Sequence, residues 1–217
     1  IIDLRKKINI ELPKGIQHYL NTVPFNINGK KNIESLDVCQ TNDSTKKNTI
    51  ICDQVLISGG WSPIVNLVSH RGIKPIWNED NLCFIPGEIK ENITVVGSAR
   101  GIWNLNDCKN SGIAGANETL NKLGIHKKEI TFPKVGGWVN PIEPLFEVKS
   151  KKFPSKSFVD FQHDVTVDDV RLAHREGFIS VEHLKRYTTL GMANDQGKMG
   201  NIIGLSLMAE LLEKKIP

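Results

Sequence analysis

Paired cysteines are missing from this chain. Its four, Cys39, Cys52, Cys83 and Cys108, are widely spaced with no C-x-x-C pair. That argues against a zinc, iron–sulfur or dithiol redox centre made from this chain's own thiols. Isolated among Ile, Val and Leu, they read as buried thiols of a reducing compartment. Long apolar runs are missing too: the longest, residues 202–212, is interrupted by Gly204, Ser206 and Glu210 and is shorter than a membrane span. No membrane partner is therefore expected. Charge of one sign is also scarce, with 28 Lys and Arg against 24 Asp and Glu and a net charge of +4. The one basic run, residues 149–156 (KSKKFPSK), reads as a solvated linker, so no nucleic-acid partner is expected. His163, His174 and His183 are spaced eleven and nine apart, which gives no metal-binding face on one helix.

What remains is the composition of an ordinary soluble globular protein of 217 residues, enough for one large domain or two modest ones. The start at IIDLRKK and the stop at KKIP read as cuts, so part of a larger polypeptide is expected. Three textures follow one another. Over residues 1–124, short β-rich runs (IIDL, SLDVCQ, IICDQVLISGG, ITVVGSA) alternate with polar connections such as NINGKKN and TNDSTKKN. Residues 106–123 place Ile113, Ala116, Leu120 and Leu123 at helical spacing, so a strand, a glycine turn and a helix make an α/β unit. Residues 125–156 are a connector rich in proline, glycine and lysine, including VGGWVNPIEPLFEV. Residues 157–217 are helical in pattern. Thr166 with Asp169 three residues on is an N-cap signal, and Asp168 and Asp169 suit the positive end of the dipole. Gly177 is a stop, Ser180 a second cap and Gly191 its stop. A last helix is expected over about 200–215, apolar on two faces and so buried on more than one side.

Three stretches of the first region carry nucleotide chemistry. Asp3 ends a strand, the place where a carboxylate can accept from ribose hydroxyls. Cys52-Asp-Gln-Val-Leu-Ile-Ser-Gly-Gly-Trp-Ser-Pro63 runs from a buried strand into a tight turn at Gly59 and Gly60. Gly97-Ser98-Ala99 leads through Asn104 and Leu105 into the helix, whose first N–H groups suit phosphate oxygens. In that order the pieces resemble the back half of a pyridine-nucleotide–disulfide-oxidoreductase-type flavoprotein, a partial two-dinucleotide-binding domain. Ser98 stands where that family has an aspartate for the flavin's ribityl chain, which turns the expectation from FAD to another dinucleotide.

The last region resembles bacterioferritin-associated ferredoxin domains. The places matching their cluster cysteines are Asp160, Gln162, Asp195 and Gly200–Asn201, none of them a thiolate, so a scaffold without its [2Fe–2S] cluster is expected. The run FVDFQHDVTVDDVRLAHREGFISVEHLKRYTTLGMANDQGKMGN, with CDQVLISGGWSPIVNLVSHRG and PIWNEDNLCFIPG, resembles the alpha-subunit family of heterotetrameric sarcosine oxidases over most of the chain. That resemblance implies a cytoplasmic bacterial oxidoreductase with beta, gamma and delta partner subunits. NAD would be held by Gly97, Ser98, Ala99, Asn104 and Leu105, with Gly59 and Gly60 as further candidates. FMN at the subunit interface would meet Lys185, Arg186, Thr188, Thr189, Gln196 and Lys198. FAD and tetrahydrofolate would lie elsewhere in the complex, and no acid–base residue is expected here. Two alternatives stay open: an assembly domain with closed pockets, and a subunit of a related amine or opine dehydrogenase.

Overall fold

The computed structural model describes residues 1–41, 43–89, 92–125, 130–136, 142–149 and 156–216. Most of the basic run 149–156 and part of the connector lie outside them. The described residues form two compact units, Ile1–Ser58 together with Glu143–Ile216, and Gly59–Ile142. The secondary structure is mixed α and β.

The first unit opens with an antiparallel meander of β1 (Thr22–Asn28), β2 (Ser35–Gln40) and β3 (Asp43–Ile51), in that spatial order. The central strand is buried along almost its whole length, with Leu36, Val38 and Cys39 in the core. Pro24 is tolerated because β1 is an edge strand, and the register shifts between Pro24 and Asn26. Three polar residues are buried with them, Thr22, Ser35 and Asp37, and the last, a carboxylate, is 1% exposed. It accepts from Lys47 Nζ at 2.9 Å and from Thr49 Oγ1 at 2.7 Å, Thr49 being its cross-strand neighbour. Burial by itself would raise this carboxyl, but hydrogen bonds from Thr49, Asn28 and Lys47 outweigh it and hold the group at about 2.

Strand pairing departs from the sequence expectation in four places. TNDSTKKN contributes Asp43–Asn48 to β3 rather than to a connection. An exposed edge strand needs no apolar alternation, and lysines are the usual guard of such edges. IIDL is reduced to a single parallel bridge, Ile2 to Tyr19. The expected strand through Ile57 stops at Ile51, and 93–96 forms no ladder among the described residues, although Val96 is extended. A β-rich stretch becomes a strand only when a partner supplies the other half of its hydrogen bonds.

The same unit ends in a small helical assembly. A short hairpin, β6 (Phe158–Asp160) with β7 (Val165–Thr166), leads into α3 (Val167–Arg175) and α4 (Val181–Thr188), followed by α5 (Asn201–Leu211). (In chain order α1 and α2 belong to the second unit.) The N-cap signal at Thr166 is realised as a full capping box: Asp169 N–H donates to Thr166 Oγ1, and Asp169 Oδ2 accepts from Thr166 N–H at 2.8 Å. Hydrogen bonds from Thr166 hold the Asp169 carboxyl below its ordinary range. Gly177 at φ +92 follows the end of α3, as expected. Ser180 is the N-cap of α4 but makes no side-chain cap bond. That helix stops three residues short of Gly191, because Thr189 turns left-handed at φ 63. Val159, Val165, Val170, Ala173, Leu184, Leu190, Leu207 and Met208 form the core beneath. Leu184 and Met208 are each 1% exposed, and burial of each contributes about 1.5–3 kcal/mol.

The second unit holds α1 (Asn66–Ser69), a hairpin of β4 (Ile76–Asn78) with β5 (Cys83–Ile85), a 3₁₀ turn at Gly97–Arg100, and α2 (Leu105–Lys122). Asn81 Nδ2 donates to the Gly101 carbonyl at 3.0 Å, and a Cβ at Gly101 would fall 2.8 Å from Ile85. The turn before α2 is thereby pinned to the hairpin. Gly115 lets Val96 and Thr94 approach the helix closely, so 93–96 packs against α2 by side chains instead of pairing.

Candidate functional site

The nucleotide set lies in the second unit. The backbone enters the turn extended at Val96, goes left-handed at Gly97 (φ 62), forms the 3₁₀ turn and leaves left-handed at Gly101 (φ 83). Two positive φ values within five residues are why glycine stands at both ends. Asn104 then caps α2: its Oδ1 accepts from Asn106 N–H at 2.9 Å and from Asp107 N–H at 3.4 Å. Gly97 N–H donates to Ser111 Oγ at 2.7 Å. So two of the predicted contributors, Gly97 through its amide and Asn104 through its carboxamide, are already engaged within the chain. Ser98 and Leu105 are exposed and Ala99 is half-buried. Arg100, which the sequence reading passed over, brings an exposed cation to the same turn. The exposed Ser98 hydroxyl and the Arg100 guanidinium, in the turn that precedes the 18-residue helix α2, fit a phosphate, while the Gly97, Asn106 and Asp107 amides are already taken. Gly59 and Gly60 sit in open surface, with nothing within 4 Å of a Cβ built on either.

Asp3 belongs to the first unit and is taken. Its carboxylate accepts from Arg5 N–H at 3.0 Å, Arg5 Nε at 2.9 Å and Arg5 Nη2 at 2.7 Å. The Arg5 guanidinium is the chief cause that holds this carboxyl at about 2.

The glycine-rich loop of the helical assembly closes on itself. Gly191 (φ 75) and Gly197 (φ 74) face one side chain, Asn201, and a Cβ on either would collide with its carboxamide. Asp195 accepts from Gly197 N–H and from Met199 N–H, both at 3.2 Å. The other half of the cluster-like pattern is used the same way. Asp160, 7% exposed, accepts from Gln162 N–H at 2.8 Å and His163 N–H at 3.3 Å, while Gln162 Oε1 accepts from Asn194 N–H at 3.2 Å. Side chains that cap backbone amides stand at the places expected from the ferredoxin pattern, and Asn201 occupies the loop's interior. Among the described residues no three His, Cys, Asp or Glu side chains converge as a metal set.

The flavin set lies around the outside of that loop. Lys185 and Arg186 occupy the last turn of α4, where the negative end of the dipole favours cations. Neither they nor Lys198 makes an ion pair among the described residues. Arg186, Gln196 and Lys198 are exposed and Lys185 is half-buried. Both hydroxyls are already bonded to backbone, Thr188 half-buried and Thr189 exposed. Thr188 Oγ1 donates to the Leu184 carbonyl at 2.8 Å, and Thr189 Oγ1 to the Thr188 carbonyl at 2.5 Å. Of this set, the three cations and the Gln196 carboxamide are the polar groups not turned back on the backbone, and exposed Thr189, Met192, Asn194 and Met199 share the same stretch. Such a surface fits an anionic group.

Comparison with known proteins bears on these sites. Residues 154–217 match a family model described as the sarcosine oxidase A3 domain. A sarcosine oxidase subunit alpha of Rhizobium meliloti (strain 1021) is 36% identical over 185 residues, covering 84% of this chain and 18% of the relative. One from Corynebacterium sp. (strain P-1) is 30% identical over 165 residues, covering 74% and 17%. The chain thus spans less than a fifth of the length of these relatives. Among solved structures, L-proline dehydrogenase from P. horikoshii aligns with a TM-score of 0.60 at 15% identity over 93% of this chain and 41% of that one. That last likeness concerns the fold alone. Among the described residues no helix is long and apolar enough to cross a membrane.

Proposed function

The chain belongs to the sarcosine oxidase alpha-subunit family, and from that premise we propose that it is the cofactor-holding portion of an oxidoreductase subunit that does no acid–base chemistry itself. The whole enzyme oxidises the secondary amine sarcosine with oxygen. Tetrahydrofolate takes the one-carbon unit, and glycine and hydrogen peroxide leave. The turn 97–105 holds the phosphates of NAD through Ser98 and the start of α2, with Arg100 as the nearby charge. The outer face of the loop 185–198 meets the FMN of a neighbouring subunit, and its cations offset the negative charge of the phosphate or of the reduced ring. FAD and folate sites lie elsewhere in the complex with the beta, gamma and delta partners, in the cytoplasm. The nucleotide half is a portion of a two-dinucleotide-binding domain, and the helical part is a ferredoxin-like fold that has lost its cluster.

The observation that carries this reading is the set of cations at Lys185, Arg186 and Lys198 with no carboxylate partner among the described residues. Surface cations are ordinarily interspersed with acids. One observation favours an assembly role for part of the same region: Asn201 fills the inside of the loop, so any ligand contact is confined to its outer rim.

Ser98 provides the test for the nucleotide. A carboxylate there would face the pyrophosphate, so Ser98→Asp is expected to lower the NAD recovered with the purified polypeptide at least tenfold, with an unchanged melting temperature. Equal NAD content in the variant would remove the turn from the site.

A further inference from the structure

A cleft in the first unit belongs to neither cofactor set. One wall is the β1–β2 pair, where Val23 and Cys39 stand opposite each other in register. The other is the segment 144–149, which bends at Phe146 and lines the cleft with Pro144, Leu145, Phe146 and Val148 as well as Glu147 and Lys149. The space between them is about 390 Å³, within the range that admits a small molecule. Cys39 lines it and is only 4% exposed, and burial raises its thiol pKa.

The segment is held in an unusual way. Among the described residues its backbone forms no hydrogen bond to other backbone. Side chains fix it instead. Arg171 Nη2, on α3, donates to Glu147 Oε1 and Oε2 at 2.7 Å each, and Glu147 is only 8% exposed. Lys149 Nζ bonds Glu210 of α5 at 2.5 Å and lies 3.9 Å from Glu147. A partly buried guanidinium–carboxylate pair is stronger than a surface one and sets geometry. The Lys149–Glu210 pair is exposed and salt-sensitive. A strap with apolar side chains turned to a cleft, and with ion pairs as its fastening, opens when those pairs are broken.

We propose that residues 143–149 form an ionic latch, fastened by Arg171–Glu147 and Lys149–Glu210, that controls access to the cleft and to the Cys39 thiol. Opening exposes the wall at Cys39 while the helices stay folded, because the core of α3–α5 is made of other residues. The cleft is then available to a small, mainly apolar molecule.

Alkylation of Cys39 by iodoacetamide on the whole polypeptide, mapped by peptide mass, reads the latch. Arg171→Met is expected to speed Cys39 alkylation at least tenfold while amide exchange in α3 and α5 stays as in the wild type. The charge-reversed pair Glu147→Arg with Arg171→Glu is expected to return the rate toward the wild-type value. Roughly 1 M salt, where the screening length falls to about 3 Å, is expected to speed Cys39 alkylation in the unaltered protein as well. An unchanged Cys39 rate in Arg171→Met overturns the latch. Should that variant lose helix protection, the salt series decides, and a Cys39 rate that does not rise with salt overturns it.

Discussion

Gly197→Ala is expected to destabilise the helical assembly by roughly 2–4 kcal/mol, combining a disfavoured left-handed backbone with a collision. Gly197 has φ 74, and an added methyl would fall on the Asn201 carboxamide. Asn201 has little room to retreat, because it also lies against Gly191 and its own N–H donates to the Gly197 carbonyl at 2.9 Å. Combining Gly197→Ala with Asn201→Ala removes the collision and leaves the backbone cost of about 1 kcal/mol. Denaturant unfolding of the single and double variants separates the two parts. A single variant as stable as the wild type would mean that the loop is not closed around Asn201.

Lys185→Met with Arg186→Met is expected to cut the FMN retained by the assembled complex by at least tenfold. Two charge-assisted contacts, each of about 1.5–3 kcal/mol when made to an ionised partner, are removed together. The helix end itself loses only a few tenths of a kcal/mol per cation, so the melting temperature of the isolated polypeptide is expected to stay within a few degrees. That split separates a ligand role from a helix-end role: the latter predicts a small loss of stability with full flavin. Thr188→Ala and Thr189→Ala should matter less for flavin, since both hydroxyl protons already go to backbone carbonyls.

Local features were legible in the sequence. The Thr166–Asp169 capping box, the stop at Gly177 and the extent of α2 depend on neighbours three or four residues away. The sequence shows those neighbours directly. Pairing was not legible in the same way. The polar stretch 43–48 became an edge strand because β2 lay beside it, while the strongly apolar 55–58 and 93–96 found no ladder among the described residues. Leu56 and Ile57 are 86% and 74% exposed as a result. For the site, glycines and cations announced the loop, but not what fills it. Asn201 reaches Gly191 across ten residues, and only the run of three glycines before it hinted at a close neighbour. The Glu147–Arg171 pair, separated by 24 residues, left no sequence signal at all. Asp3 shows the reverse case, a carboxylate with the right type and position that Arg5 has engaged.

A cofactor inventory of the polypeptide purified with its natural partners tests the central claim most directly. Iron and acid-labile sulfide are measured beside NAD and FMN released by gentle denaturation. The closed loop and the open nucleotide turn predict about one NAD per polypeptide, FMN in the complex, and iron at background. Stoichiometric iron with sulfide on this polypeptide, or a complex with full activity and no bound NAD, would contradict it.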